Sequence, residues 1–175
     1  ERGRDRIKSM IETRPDWCIS RQRIWGVPLP LFVSKKTKEP LKDQEVIDNI
    51  ATIFEKEGAD CWFTDDPQKF LGKKYKKEDY IKSNDIVEVW FDSGATHSYV
   101  LEKRKDLHWP ASMYLEGSDQ HRGWFHSSLL ESCGTRGKAP FKSILTHGFV
   151  VDGKGLKMSK STGNIIAPED VLKKY

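Results

Sequence analysis

Cysteine is scarce in this chain and poorly placed for its usual structural uses. Cys18, Cys61 and Cys133 are far apart and odd in number. They form no Cys-x-x-Cys pair, no disulfide framework and no zinc-ligand spacing. They read as three buried or partly buried thiols in a reducing compartment, so the expectation is a cytoplasmic protein with no metal site and no zinc from this chain. Long apolar runs are also missing: nothing reaches the roughly 18 consecutive residues a membrane helix needs, and no membrane partner is expected. The first residues, Glu1-Arg-Gly-Arg-Asp-Arg6, carry both charge signs with no apolar stretch behind them, unlike a secretory signal. The sequence does not begin with methionine, which suggests a piece of a longer polypeptide. It has no repeat, no low-complexity segment and no GxxxxGK[ST] phosphate loop.

What is present suits one domain, or a core with one small insert. The 175 residues are 37% hydrophobic and 32% charged, an ordinary globular balance. The formal charge of +4 permits contact with nucleic acid without requiring it.

Residues 1–14 have the apolar stripe of a short charged helix (Ile7, Met10, Ile11), which Pro15 stops. Pro28 and Pro30 bracket an extended piece ending at Leu31-Phe-Val33. Residues 34–84 are rich in Lys, Glu and Asp. Val46, Ile47, Ile50, Ile53 and Phe54 mark a helix over about 44–57, and Gly58 is a suitable stop. The basic run Lys73–Lys77 fits either a solvated face or RNA contact. From residue 85 strands alternate with helices. Strands are expected at Ile86–Phe91, Ser112–Leu115 and Ser143–Thr146. A helix over 118–133 turns Trp124, Phe125, Ser128 and Leu129 inward and is capped by Ser118. Another helix starts near Pro168. This order predicts an α/β fold with a parallel sheet, whose ligands bind beyond the C-terminal strand ends. The polar clusters Asp92-Ser-Gly, Glu116–Gln120 and His147-Gly148 fall there.

The segment Asp152-Gly-Lys-Gly-Leu-Lys157-Met-Ser-Lys160-Ser-Thr-Gly163-Asn164 carries the most chemistry. Its glycines allow tight turns, its lysines supply charge and its hydroxyls supply donors. Such a loop suits a triphosphate whose charge is neutralised as pyrophosphate leaves. The same composition also fits plain surface.

Lys157-Met-Ser-Lys-Ser161 resembles the KMSKS signature of the class I aminoacyl-tRNA synthetases. The surrounding segments extend the resemblance. Trp17-Cys-Ile-Ser-Arg-Gln-Arg23 with Trp25-Gly26 is similar to the segment that returns from the editing insertion in the isoleucyl, valyl and leucyl group. Trp90-Phe-Asp-Ser-Gly-Ala-Thr-His97 and Tyr114-Leu-Glu-Gly-Ser-Asp-Gln-His-Arg-Gly-Trp-Phe125 resemble its isoleucyl branch rather than the valyl one. Leu145-Thr-His-Gly148 completes the order. The matches cover residues 14–31 and 86–172.

The resemblance implies the second half of a Rossmann-like nucleotide-binding fold with a small α+β insert. Residues 1–32 would return from an editing domain, 33–85 would be the insert, and 86–175 would be the second half of the catalytic domain. It implies activation of L-isoleucine by ATP with Mg²⁺, then transfer to tRNA(Ile). Glu116, Gly117, Asp119 and Gln120 would contact the aminoacyl-adenylate, and Trp90 and Trp124 would wall the side-chain pocket. Plain core packing is the alternative for both tryptophans. His147 and Gly148 would lie near adenine and ribose. Lys157, Met158, Ser159, Lys160 and Ser161 would bind ATP, with Lys160 and Lys157 in the catalytic role. His121 and Arg122 would be supporting residues, and His97, His108 and His126 show no catalytic pairing. The family's other signature, His-x-Gly-His, is absent. The half that carries it is expected upstream, and the anticodon-binding domain beyond Tyr175. The short chain alone should hold half a site and be inactive. The competing readings are a valyl enzyme, a non-catalytic nucleotide- or RNA-binding module, and a basic RNA-binding domain. Intact Glu116, Asp119, Gln120, Lys157 and Lys160 argue for a working enzyme.

Overall fold

A computed structural model of the chain describes residues 2–174; Glu1 and Tyr175 lie outside the described residues. The chain divides into two compact units, residues 12–96 and residues 97–175 with 1–11. Helix α1 is Arg2–Glu12, close to the expected 1–14.

In the unit 12–96, β1 (Ser20–Arg21) pairs antiparallel with β4 (Ile86–Val87), and β2 (Phe32–Ser34) pairs antiparallel with β3 (Tyr80–Lys82). Between β2 and β3 lie α2 (Gln44–Glu57), α3 (Cys61–Thr64) and α4 (Pro67–Leu71). The apolar stripe of α2 is buried at Val46, Ile50 and Ile53. It packs with Phe32, Trp62, Phe70 and Leu71 into one core. The Trp62 and Phe70 rings sit 4.9 Å apart at a 55° tilt, a favourable offset arrangement. Asp43 caps α2 by accepting from Glu45 N at 2.9 Å. Gly58 ends the helix at φ 84°, a conformation that favours glycine. Lys82 snorkels under this core. Its Nζ donates to the carbonyls of Trp62 and Asp65 and lies 5.4 Å from the Trp62 ring centroid. Burial lowers its pKa. The ammonium thereby satisfies carbonyls that the end of α3 leaves open.

The run Ile86–Phe91 is not one strand. Only Ile86–Val87 is extended, and α5 (Val89–Gly94) begins at once. The cause is Glu88, which is buried and accepts from Trp90 N at 3.0 Å. A carboxylate at this position caps a helix and suits its positive end. The β-rich composition of the run loses to that local cap.

In the other unit a π-helical turn occupies His97–Leu101. Strands β5 (Tyr114–Gly117) and β6 (Ile144–His147) pair in parallel, with Glu116 opposite Thr146 and Gly117 opposite His147. The chain is thus α/β with a small parallel sheet, and α7 spans Pro168–Lys174. The expected single helix over 118–133 is instead a 3-10 turn, Ser118–Arg122, followed by α6, Trp124–Arg136. Gly123, at φ −115° and ψ −117°, breaks the two apart. Ser118 makes no side-chain capping bond. Gln120 Oε1 accepts from Trp124 N at 2.9 Å and takes over the cap of α6. Phe125 and Ser128 face the core, while Trp124 and Leu129 are half-buried. Arg136 clamps the far end of α6 with a bidentate pair to Glu102 at 3.0 and 2.9 Å.

Candidate active site

The C-terminal ends of β5 and β6 place Glu116, Gly117, Thr146 and His147 side by side. Glu116, Thr146 and His147 are exposed, whereas Gly117 is buried. Gly117 has an ordinary φ of −64°, so backbone freedom is not why glycine stands there. The reason is space: a Cβ at Gly117 would lie 2.5 Å from Asp119 Oδ1 and 3.9 Å from His147 Cε1. The missing side chain lets the Asp119 carboxylate fold back against the strand end. Gln120 Nε2 donates to Asp119 Oδ2 at 3.3 Å while its Oε1 holds Trp124 N. One residue thus ties the acid to the start of α6. The His147 Nδ1 faces the Gly148 carbonyl at 2.7 Å. A carbonyl only accepts, so Nδ1 carries the proton.

Trp124 stacks on Tyr114, with ring centroids 4.2 Å apart and planes 8° from parallel. The Tyr114 hydroxyl meets Ser128 Oγ at 3.1 Å inside the unit, and burial raises its pKa. His121 is buried, bonds the Ser118 carbonyl through Nδ1 at 2.7 Å and packs edge-on against Phe125. It braces the 3-10 turn, while Arg122 is exposed beside it.

The lysine loop is a folded object. Val151 and Lys157 form an antiparallel bridge, and Gly155 and Gly163 take φ values of 76° and 70°. Ser159 Oγ bonds Thr162 Oγ1 at 2.6 Å and Ser161 Oγ at 3.2 Å. Lys157 Nζ lies 5.7 Å from the Phe149 ring centroid. Lys160 is exposed and unpaired among the described residues, and Met158 is half-buried. The structure therefore brings Glu116, Gly117, Asp119, Gln120, Trp124, His147 and Gly148 onto one strand end and its adjoining turn, within the unit that also carries the loop 157–161. Trp90 lies in the other unit, on α5, and is 44% exposed.

Several polar contacts were not foreseen from the sequence. Asp152 and Asn164 bond each other across the loop at 2.8 Å. In the unit 12–96, a cavity of about 260 Å³ is lined by Arg21, Arg23, Trp25, Glu88 and Asp92. Arg21 approaches Glu88 at 3.8 Å. Burial and then the neighbouring Glu88 charge raise the Asp92 pKa. The Asp-Gly and Gly-Asn pairs flanking the loop were the available signals for the first of these. For the second, Asp92 stood in a polar cluster, but no spacing joined it to Arg21 and Glu88.

Among the described residues one set of side chains has its ligand atoms close enough to hold an ion: Glu57, Cys61 and Asp65, all within 4.8 Å of one another. Lys69 Nζ sits 2.6 Å from both Glu57 Oε2 and Asp65 Oδ2, so an ammonium already bridges the two carboxylates of the set. The bonds to Asp65 and then Glu57 push the Lys69 pKa up. The strand-end site has no comparable ligand cage among the described residues.

The chain matches the family described as tRNA synthetases class I (I, L, M and V) over residues 1–175. It is 78% identical to an isoleucine–tRNA ligase of Pelagibacter ubique (strain HTCC1062) over 175 residues, which is 100% of the chain and 19% of that protein. It is 59% identical to the isoleucine–tRNA ligase of Syntrophotalea carbinolica, covering 99% of the chain and 19% of the relative. With the Caldicellulosiruptor saccharolyticus isoleucine–tRNA ligase the identity is 56%, over 100% of the chain and 20% of the relative. The chain thus spans about a fifth of the length of these relatives. A crystal structure of an Agrobacterium radiobacter K84 LeuRS in ternary complex with tRNA and LeuAMS shares the fold. Its TM-score is 0.61 at 20% identity, over 97% of this chain and 25% of that one.

Proposed function

Since the chain belongs to the class I tRNA synthetases of the I, L, M and V group, we propose that it forms part of the isoleucine-activating site of a longer isoleucine–tRNA ligase. The parent polypeptide joins L-isoleucine to ATP as isoleucyl-adenylate and passes the acyl group to tRNA(Ile), in the cytoplasm where translation takes place. Residues 1–32 are the segment returning from an editing domain, 33–85 an inserted module, and 86–175 the second half of a Rossmann-like nucleotide fold.

The observation that carries this reading is the cluster at the ends of β5 and β6, which lies where open parallel sheets bind nucleotides. In the reaction, the isoleucine carboxylate attacks the α-phosphorus of ATP, the bond to the β-phosphate oxygen breaks, and pyrophosphate leaves. No protein nucleophile is required; the protein positions groups and offsets charge. Glu116 and Asp119 hold the amino and ribose ends of the adenylate. The exposed His147 ring and the Gly148 backbone border the adenosine. Trp124, stiffened by its stack on Tyr114, walls the isoleucine side chain. The role of Trp90 rests on the resemblance alone. Lys160, with Lys157, offsets the charge that develops on the departing pyrophosphate, aided by Met158, Ser159 and Ser161 of the same loop. Mg²⁺ travels with ATP on phosphate oxygens and water, as its preference for hard, partly hydrated sites predicts.

The chain by itself holds half a site. Leu115 and Leu145 are 55% and 52% exposed on a parallel sheet, and such sheets are normally covered on both faces. The missing cover is assigned to the half that carries His-x-Gly-His and to an anticodon-binding domain elsewhere in the polypeptide. The test is amino-acid-dependent ATP–pyrophosphate exchange by the parent polypeptide across an amino-acid panel, with the 175-residue chain run in parallel. Exchange driven by isoleucine, weaker with valine, and silence from the short chain support the reading. Exchange driven best by valine moves the assignment to the valyl branch.

A further inference from the structure

The loop Asp152–Asn164 is held shut by a small polar network. Asp152 Oδ1 accepts from Lys154 N and Leu156 N, both at 2.9 Å. Asp152 Oδ2 accepts from Asn164 Nδ2 at 2.8 Å. The same amide nitrogen reaches the Lys157 carbonyl at 3.2 Å, and Asn164 Oδ1 accepts from Ser159 N at 3.0 Å. Asn164 therefore grips the backbone on both sides of Met158. Ser159 Oγ in turn accepts from Thr162 N at 3.2 Å, which closes the turn carrying Lys160. Asp152, Asn164, Met158 and Ser159 are the half-buried residues of an otherwise exposed loop. The bonds to Asn164 and to the backbone amides hold the Asp152 carboxyl in its ionised form.

We infer that Asp152 and Asn164 are positioning residues, forming a side-chain latch that sets the backbone of Lys157–Ser159 and so places the Lys160 ammonium for pyrophosphate departure. The inference rests on the assignment of residues 157–161 to ATP. Neither latch residue needs to touch the nucleotide. The latch acts by preorganisation: a flexible lysine-bearing loop must be ordered before its charge acts on a transition state, and bonds made in advance remove that cost. The carboxylate–amide contact is directional. It needs one acceptor at 152 facing one donor at 164, while the second amide atom at 164 accepts from Ser159 N.

That polarity supplies the test, in the parent polypeptide. Asn164→Asp sets two carboxylates against each other. Asp152→Asn sets two amide donors against each other, and flipping Asn164 to relieve this removes the acceptor for Ser159 N. The double exchange Asp152→Asn/Asn164→Asp restores one donor and one acceptor. The amide oxygen introduced at position 152 again serves Lys154 N and Leu156 N, and the carboxylate introduced at position 164 again accepts from Ser159 N. Only the weaker bond to the Lys157 carbonyl is lost. Each single substitution is expected to lower kcat for isoleucine-dependent exchange by about tenfold or more, the size of one lost charge-assisted bond. The ATP KM should move less than about threefold and the thermal midpoint should stay put, because the loop is on the surface. The double exchange should recover kcat to within about threefold of the unmodified protein, as coupled partners do. A double variant as impaired as the product of the singles, or singles that leave kcat unchanged, would overturn the latch. Lys160→Ala in parallel separates the two claims: if it leaves exchange intact the ATP-loop reading fails, and if it abolishes exchange while Asn164→Asp does not, the latch alone fails.

Discussion

Gly117→Ala separates the geometry of the strand-end site from its folding. The backbone at Gly117, with φ −64°, accepts alanine without strain. The new methyl clashes with Asp119 Oδ1 at 2.5 Å, which must retreat by about 1 Å to reach ordinary contact, whereas His147 Cε1 at 3.9 Å is already at that distance. Stability should shift by no more than about 1 kcal/mol, with the lost freedom of the unfolded chain working in favour of alanine. Catalysis should suffer far more, since a misplacement of about 1 Å at a reacting centre costs on the order of 100-fold. The assay is isoleucine-dependent ATP–pyrophosphate exchange by the parent polypeptide, with urea unfolding of the same preparations as control. The expected outcome is a fall in kcat/KM for isoleucine of about tenfold to 100-fold at nearly unchanged stability. Adding Asp119→Ala to Gly117→Ala should cost little more, because the first substitution has already displaced that carboxylate. Exchange by Gly117→Ala within about twofold of the unmodified protein would refute the claim that the position of Asp119 matters.

The remaining predictions concern folding. Phe70→Ala removes a side chain with no exposed surface that touches the Trp62 and Phe54 rings; urea unfolding should show a loss of about 3–5 kcal/mol. The folded-state pKa of Asp43 lies at about 2, first because of the bond from Lys74 and next that from Tyr75, against an ordinary value of 3.8. This depressed value means that the Asp43 contribution is fully present above pH 3.8 and is lost as pH falls from there to about 2. In Asp43→Ala the acid limb of the stability–pH curve should flatten across that window. An unchanged acid limb would show that the Lys74 and Tyr75 contacts do not bind the carboxylate in solution.

The elements with a strong local signal were legible in the sequence. Helix α2 could be read from its apolar stripe and Gly58, and strands β5 and β6 from short apolar runs ending in polar clusters. The failures are local contests that periodicity does not see. Ile86–Phe91 has the composition of a strand, yet the Glu88 carboxylate bonds Trp90 N and starts a helix. Ser118 is a good capping residue by type, but Gly123 interrupts the helix and Gln120 caps the second segment instead. The proposal of Glu116, Asp119, Gln120, His147 and the lysine loop as the site came from motif and resemblance. What no spacing could supply was the reason for Gly117, a steric one toward a residue two positions on. The Asp152–Asn164 contact was equally hidden, because it closes across 12 positions of a loop whose composition fits plain surface.

The proposed role of the strand-end site depends on where the adenylate sits. The most direct measurement is amide hydrogen exchange on the parent polypeptide with and without a non-hydrolysable isoleucyl-adenylate analogue. Slowed exchange is expected over Glu116–Gln120, His147–Gly148 and Lys157–Ser161, with no change in the helical core formed by Val46–Ile53 and Phe70. Protection confined to other segments, with Glu116–Gln120 and Lys157–Ser161 exchanging as before, would contradict it.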